Sequence, residues 1–155
     1  MNKSIEKLRK LNALDCRLAM TPMGSQLNRM GVDPEIGKMV LYGLCFGCYR
    51  PIAIIAAALS HKSPFQKLND VHAIRQQHRM RLQFAIDSES DFVALMRAFE
   101  CWIDEGMSQR RWAEEHHLNF EAMKMIDRIL RDFDMRISRT TEWFCNNVTK
   151  TAKKG

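Results

Sequence analysis

The sequence predicts an all-α protein, a compact helical bundle of about seven helices. Three observations favour this fold class. Helix breakers are scarce, with only seven glycines and four prolines among 155 residues. Apolar residues make up 46% of the chain and charged residues 27%, a balance typical of a folded domain. Apolar residues also recur at helical spacing, and the alternation that strands require is nearly absent.

Two helix starts near the N-terminus share one pattern, a capping side chain followed by proline. They are Thr21-Pro22 and Asp33-Pro34, and proline suits the first helical position because its missing amide hydrogen is not needed there. Ser4 is expected to cap an earlier, short amphipathic helix, and residues 13–20 are expected to be extended. The helix after Asp33 is apolar on nearly all sides, so we expect it to be central.

Two helices are predicted in the middle of the chain. Pro51 should begin a buried, alanine-rich helix that ends near Ser60, and Ser63-Pro64 should open a more polar one that continues to the region of Leu82.

A third helix of this region is expected to be capped by Ser88 or Ser90 and to end at Gly106. Its apolar stripe consists of Phe92, Leu95, Met96, Phe99, Trp102 and Ile103. Asn119 should cap the long last helix, which is expected to reach the region of Phe144 before a flexible tail.

Charge and cysteine content restrict the compartment and the partners. The formal net charge is +6, which permits contact with phosphate groups without requiring it. Five cysteines and no apolar leader indicate reduced thiols and an intracellular protein, cytoplasmic or nuclear. Residues 39–59 are nearly all apolar, but glycines, Arg50 and Pro51 interrupt them, so we predict two buried helices and no membrane contact.

No motif of catalysis or metal binding is complete. Gly31 and Gly37-Lys38 resemble a phosphate-binding loop, but the spacing is wrong and Met39 stands where Ser or Thr is needed. Gly37 is better explained by close helix packing and Lys38 by solvation. Cys45 and Cys48 have the spacing of metal ligands, yet core packing of free cysteines is favoured. The only candidate second pair, His116-His117, consists of adjacent residues, which point in different directions on a helix. We therefore predict no catalytic residue, cofactor or metal.

Basic residues on three predicted helices form the candidate RNA-binding set. From charge and helix placement, the preferred residues are Arg75, Arg79 and Arg97, followed by Arg128 and Arg131. Acidic residues are interleaved with the arginines of the last helix, so local ion pairs compete with phosphate contact there. Aromatic residues that could stack on bases, such as Phe92 and Phe120, lie on apolar stripes, which favours a role in the core.

Six sequence blocks occur in an order that resembles the helicase-associated region of DEAH/RHA-type RNA helicases. The blocks are Leu18-Ala-Met-Thr-Pro-Met-Gly24, Val32-Asp-Pro-Glu-Ile-Gly-Lys-Met39, Phe46-Gly-Cys48, Ile54-Ile-Ala-Ala-Ala-Leu-Ser60, Ser63-Pro-Phe65 and Ser90-Asp-Phe-Val-Ala-Leu-Met-Arg-Ala-Phe-Glu-Cys-Trp102. The resemblance covers roughly Leu8 to Phe133. Departures are Phe92 in place of the family's histidine, Met30-Gly31 in place of Leu-Pro, and a divergent stretch at residues 112–118.

The resemblance implies a layout and a role. Residues 1–31 would be the end of a winged-helix unit, with a hairpin strand at Leu18–Thr21. Residues 32–147 would be the helical bundle called the ratchet, and residues 148–155 a tail. In the intact enzyme this bundle lines the channel for single-stranded RNA, next to an OB-fold and the RecA-like domains that bind ATP and Mg²⁺. The alternative is a helicase-derived module that binds a protein partner. A small standalone enzyme would need a catalytic cluster that the sequence lacks.

Overall fold

The computed structural model describes residues 3–66, 69–88 and 90–152, and their side chains except for residue 87 and residues 139–152. The described residues form eight α-helices and two short 3₁₀ turns, with no strand. The all-α fold class predicted from the sequence is confirmed. The helices are α1 (Lys3–Lys10), α2 (Pro22–Met30), α3 (Pro34–Cys45), α4 (Tyr49–Leu59), α5 (Val71–Ala85), α6 (Asp91–Asp104), α7 (Gln109–Glu115) and α8 (Phe120–Ala152).

The chain folds into two compact units. The first contains the described residues of Met1–Tyr49 and Leu130–Gly155, and the second is Arg50–Ile129. Helix α8 therefore contributes its early turns to the second unit and its later turns to the first. These divisions differ from the boundary that the sequence predicted between residues 31 and 32.

The two helix starts predicted in the first unit are confirmed. The Thr21 hydroxyl accepts a hydrogen bond from the Gly24 amide at 3.0 Å, and the Asp33 carboxylate accepts one from the Glu35 amide at 2.9 Å. Between α1 and α2, the expected extended segment is reduced to one antiparallel bridge between Leu14 and Met20. The hairpin strand expected at Leu18–Thr21 is accordingly wrong, because a single bridge does not extend into a ladder.

Helix α3 was expected to be central, and the structure corrects this. Its buried residues are Gly37, Val40 and Gly43, so only one side of the helix packs inwards. A Cβ at Gly37 would lie 3.2 Å from Leu27 Cδ2, which confirms its role in close helix packing. Lys38 was expected to be solvated, but its Nζ donates a hydrogen bond to the Leu11 carbonyl at 3.1 Å.

The core of the second unit is built on α4 and α6. Alanines and Ile54 of α4 are fully buried, and the buried face of α6 consists of Ala94, Leu95, Ala98, Phe99 and Trp102. The Trp102 indole donates to the Gln109 carbonyl at 3.1 Å, which satisfies its one polar group. Three residues of the predicted stripe, Leu95, Phe99 and Trp102, are thus confirmed as buried. Met96 and Ile103 are partly buried, and Phe92 is 50% exposed.

The helix predicted to start at Ser63-Pro64 begins instead at Val71, where Asp70 accepts a hydrogen bond from the Ala73 amide. Pro64 and Phe65 are held in an extended segment. Its partners lie before α8: Phe65 forms a bridge with Leu118, and the Asn119 amide donates to the Pro64 carbonyl at 2.7 Å. This pairing removes the segment from helical geometry, which is why the local proline signal was misleading.

Helix α8 begins as predicted, with Asn119 accepting a hydrogen bond from the Ala122 amide at 2.9 Å. It continues to Ala152, beyond the end expected near Phe144. The tail expected at residues 148–155 overlaps the last residues of this helix, and residues 153–155 lie outside the described residues.

Candidate nucleic-acid interface

Helix α5 carries the strongest concentration of positive charge in the second unit. Its fifteen residues include three arginines and two histidines and no acidic residue. Arg75 and Arg79 are both exposed and lie four positions apart, so their side chains emerge on the same side of the helix about 5–6 Å apart at Cβ. The structure therefore brings these two predicted residues together.

Polar contacts on the opposite side of α5 set this orientation. The Gln77 amide nitrogen donates to the Gln66 carbonyl at 2.9 Å and to the His117 carbonyl at 3.2 Å. Arg81 lies over the ring of Phe65, with its guanidinium carbon 4.1 Å from the centroid. These inward contacts anchor one face of α5 to the extended segment before it, and they leave Arg75 and Arg79 facing solvent.

Arg97 lies on α6, the helix that follows α5, and it is partly buried. Its Nη1 atom is enclosed and has no hydrogen-bond partner among the described residues, and the same is true of Arg81 Nε. An enclosed, unpaired donor on a charged group is costly unless an acceptor is supplied. Because this nitrogen is enclosed, an external anion could contact the Arg97 guanidinium only through its other nitrogens.

The two candidates on α8 belong to different units. Arg128 is exposed in the second unit, and Arg131 is exposed in the first. Arg131 also interacts within the chain, as expected where acidic residues are interleaved. The next arginine, Arg136, forms a salt bridge with Asp132, with its Nε 2.8 Å from the carboxylate oxygen. The positive charge of this helix is therefore partly neutralised.

An apolar line on α5 was missed by the sequence analysis. Val71, Ile74 and Leu82 are 58%, 45% and 51% exposed, and their spacing places them along one side of the helix, next to Arg75. Ile86 in the following 3₁₀ turn is also exposed. The spacing i, i+3 and i+11 predicts that the three residues lie on one side of the helix. The sequence does not show that this side faces solvent.

Acidic residues border the candidate surface at the far end of α6. Desolvation raises the pKa of the Cys101 thiol, and the carboxylates of Asp104 and Glu100 raise it further. These carboxylates disfavour an anion near the C-terminal turns of α6.

The residues weighed as metal ligands do not assemble a site. The described residues contain no group of three or more His, Cys, Asp or Glu side chains that could hold a metal ion. Cys45 and Cys48 were expected in the core, but both are exposed. The His116 ring stacks on Trp112 with centroids 3.9 Å apart, and its Nδ1 lies 2.7 Å from the Trp112 carbonyl.

Within the described part of the chain, no helix is both long enough and apolar enough to span a membrane. The apolar stretch at residues 39–59 is divided between α3 and α4, which confirms the predicted pair of helices.

Comparison with protein families identifies the helical bundle. Residues 33–119, more than half of the chain, match the family described as the helicase-associated (HA2) domain, ratchet-like. The chain belongs to this helicase-associated family. The resemblance drawn from the six sequence blocks is thereby confirmed, and the match spans the bundle from the Asp33 cap of α3 to the Asn119 cap of α8.

Full-length relatives of this helicase-associated chain are ATP-dependent helicases. It is 36% identical over 134 residues to ATP-dependent DNA/RNA helicase DHX36 of Homo sapiens, a match covering 84% of this chain and 13% of the relative. It is 33% identical over 135 residues to DExH-box ATP-dependent RNA helicase DExH1 of Arabidopsis thaliana, covering 86% and 13%. The chain thus spans about an eighth of the length of these relatives.

Proposed function

We propose that this helicase-associated chain lines the single-stranded RNA channel of a DEAH-type RNA helicase and supports unwinding driven by ATP hydrolysis elsewhere in the enzyme. In this proposal the RecA-like domains hold ATP and Mg²⁺, and the chain itself contributes no catalytic residue. Its structural partners are the RecA-like domains and the OB-fold. Residues 1–31 are proposed to complete a winged-helix unit.

The observation that carries the proposal is the pair Arg75 and Arg79 on the acid-free helix α5. Two exposed guanidinium groups on one side of a helix can contact successive phosphates without a neighbouring carboxylate competing for them. Arg97, partly buried on α6, is proposed as a third contact. Arg128 and Arg131 are proposed as secondary contacts, because acidic residues share their helix.

The test measures binding of fluorescent single-stranded oligouridine at a series of salt concentrations. The variant Arg75→Ala/Arg79→Ala is compared with Arg110→Ala/Arg111→Ala. The control removes the same charge from exposed arginines that pair with Glu114 and Glu115 on α7. It therefore separates a local RNA contact from a general effect of net charge.

We expect the α5 variant to bind more weakly and with a shallower salt dependence. Loss of two phosphate contacts should reduce the slope of log affinity against log salt by about 1.4. The α7 variant should retain most of the binding. Absence of binding by the wild type at low salt, or equal losses in both variants, would contradict an RNA-contacting role for α5.

A second candidate function is a protein-interaction module derived from a helicase. The exposed line of Val71, Ile74 and Leu82 favours it, because apolar side chains aligned on a surface are typical of a binding site. Ile74→Ser/Leu82→Ser discriminates the two functions: it should leave salt-dependent oligouridine binding unchanged if α5 contacts RNA through its arginines. If the chain is a protein-interaction module instead, the wild type should not bind oligouridine, and Ile74→Ser/Leu82→Ser should lose binding to the protein partner.

We also propose a reducing compartment, the cytoplasm or the nucleus. Four cysteines among the described side chains are free and exposed, namely Cys16, Cys45, Cys48 and Cys101. Free exposed thiols persist where cellular reductants maintain them.

A further inference from the structure

The end of α3 presents two thiols close together in sequence and both open to solvent. Cys45 is the last residue of the helix, and Cys48 follows after Phe46 and Gly47. Both are free and exposed. The two cysteines were expected to be inert because they would pack in the core, and their exposure rules out that explanation. The RNA-contacting role proposed for α5 does not involve them.

Main-chain hydrogen bonds hold the turn that separates the two cysteines. The Cys48 amide donates to the Gly43 carbonyl at 2.9 Å, and the Gly47 amide donates to the Leu44 carbonyl at 3.2 Å. Gly47 has φ +70°, the left-handed conformation that completes this type of helix end. The backbone between the two thiols is thus already ordered.

The usual apolar contact of such a helix end is missing. The residue after the left-handed position normally packs against a side chain one turn earlier. Here Cys48 holds that place, and its counterpart Gly43 has no side chain. Cys48 is consequently left uncovered, and Phe46, two positions earlier, is 79% exposed.

We propose that Cys45 and Cys48 are a site of oxidative modification that forms an intrachain disulfide with oxidants of the peroxide class. The main chain reverses between the two cysteines, and Cα atoms three positions apart in a chain reversal lie within about 7 Å, at the upper end of the separations that a disulfide spans. The pairing requires only these two residues, whereas a tetrahedral metal site would need further ligands.

The reaction proceeds in two balanced steps. One thiolate attacks an oxygen of hydrogen peroxide, the O–O bond breaks, and a sulfenic acid and hydroxide result. The second thiol attacks the sulfenic sulfur, the S–S bond forms, and the sulfenic oxygen leaves as water. Overall, two thiols and one peroxide give one disulfide and two waters, with both sulfurs oxidised and the peroxide reduced.

The other described cysteines provide internal controls. Cys16 and Cys101 are exposed, but neither has a second cysteine nearby in sequence. The raised pKa of Cys101 also lowers its thiolate fraction near neutral pH. Exposure alone therefore does not predict disulfide formation at these positions.

The test treats the full chain with hydrogen peroxide, alkylates the remaining thiols and maps the tryptic peptides by mass. Cys45 and Cys48 fall in one peptide, residues 39–62, because trypsin does not cleave between Arg50 and Pro51. Cys16, Cys101 and Cys145 fall in three separate peptides, residues 11–17, 98–110 and 140–150. Each thiol is thus followed individually in one digest.

We expect the 39–62 peptide to lose two hydrogen atoms, to escape alkylation and to recover both thiols after reduction with dithiothreitol. Cys45→Ser and Cys48→Ser, both at exposed positions, should each abolish the loss of two hydrogens while the chain stays folded. A 39–62 peptide that still takes two alkyl groups after Cys16 and Cys101 are oxidised would overturn the proposal. So would a disulfide joining either cysteine to a different peptide.

Discussion

Arg136 Nη1 donates a hydrogen bond to the main-chain carbonyl of Met30 at 2.7 Å, and its Nε contacts Asp132 at 2.8 Å. Met30 ends α2 and is fully buried. One guanidinium group of α8 thus satisfies a carbonyl at the C-terminal end of another helix of the same unit, where helical geometry provides no internal partner.

Arg136→Ala should lower the free energy of unfolding by about 2 kcal/mol, because a charge-assisted hydrogen bond is lost and the Met30 carbonyl is left unpaired. Urea denaturation followed by circular dichroism measures this. Arg128→Ala, an exposed arginine of the same helix, is the matched control and should change stability by less than about 0.5 kcal/mol. Equal effects of the two substitutions would show that the Met30 contact contributes nothing.

Two glycines are expected to resist substitution for different reasons. Gly24 lies within α2, and a Cβ there would lie 2.1 Å from the Ala13 carbonyl oxygen. Gly47 has a positive φ but nothing within 4 Å of a Cβ. Gly47→Ala should cost about 1 kcal/mol of stability from backbone strain alone. Gly24→Ala should cost about 3 kcal/mol, because main-chain atoms must move.

Thermal unfolding of the two glycine variants measures the difference. In an open helix, glycine to alanine is stabilising by about 1 kcal/mol, so a stabilised Gly24→Ala variant would disprove the close approach of α2 to Ala13. A larger loss for Gly47→Ala than for Gly24→Ala would do the same.

Gln77 should matter more to stability than its neighbour Gln76. Gln77→Ala removes the donor shared by the carbonyls of Gln66 and His117, and we expect a loss of about 2 kcal/mol. Gln76 is exposed, so Gln76→Ala should be nearly neutral. Denaturant midpoints of both variants, with oligouridine binding as a second readout, separate a positioning role for Gln77 from a direct contact with RNA.

The reactivity of Cys101 should depend on the carboxylates beside it. Asp104→Asn removes a negative charge that disfavours the thiolate, so the pKa of Cys101 should fall and its alkylation should begin at lower pH. The rate of iodoacetamide labelling of the 98–110 peptide against pH measures this. Asp91→Asn, at the other end of α6, should leave the profile unchanged, and a shift of equal size there would contradict the assignment.

The same pKa has a consequence for stability. A thiol whose pKa is raised in the folded state holds its proton more tightly than in the unfolded state. Its stabilising contribution is therefore fully present below the unfolded-state pKa and is lost as the pH rises through the folded-state pKa.

Local patterns predicted the helix starts, and long-range pairing caused the main error. Thr21, Asp33 and Asn119 cap helices as expected, because each cap involves an amide two or three positions away. Pro64 carries a similar local signal, but its carbonyl is bonded to the amide of Asn119. A hydrogen-bond partner so distant in sequence cannot be recognised from the residues around Pro64.

Exposure was the property least accessible from the sequence. Arg75 and Arg79 were expected on the surface and lie there, since charged residues are rarely buried without partners. Phe92, Cys45 and Cys48 were expected inside, because their residue types are usually buried, yet they are exposed. Gln77 was missed because its importance comes from two carbonyls that only the fold brings to it.

The sharing of α8 between the two units has a consequence for synthesis on the ribosome. The second unit is continuous in sequence, from Arg50 to Ile129, whereas the first unit needs residues from Leu130 onwards. During synthesis the second unit is therefore the first to have all its residues available, because the first unit also needs residues that follow Ile129. The second unit can therefore fold before the first. A premature stop after Ile129 would leave the second unit intact and the first unit incomplete.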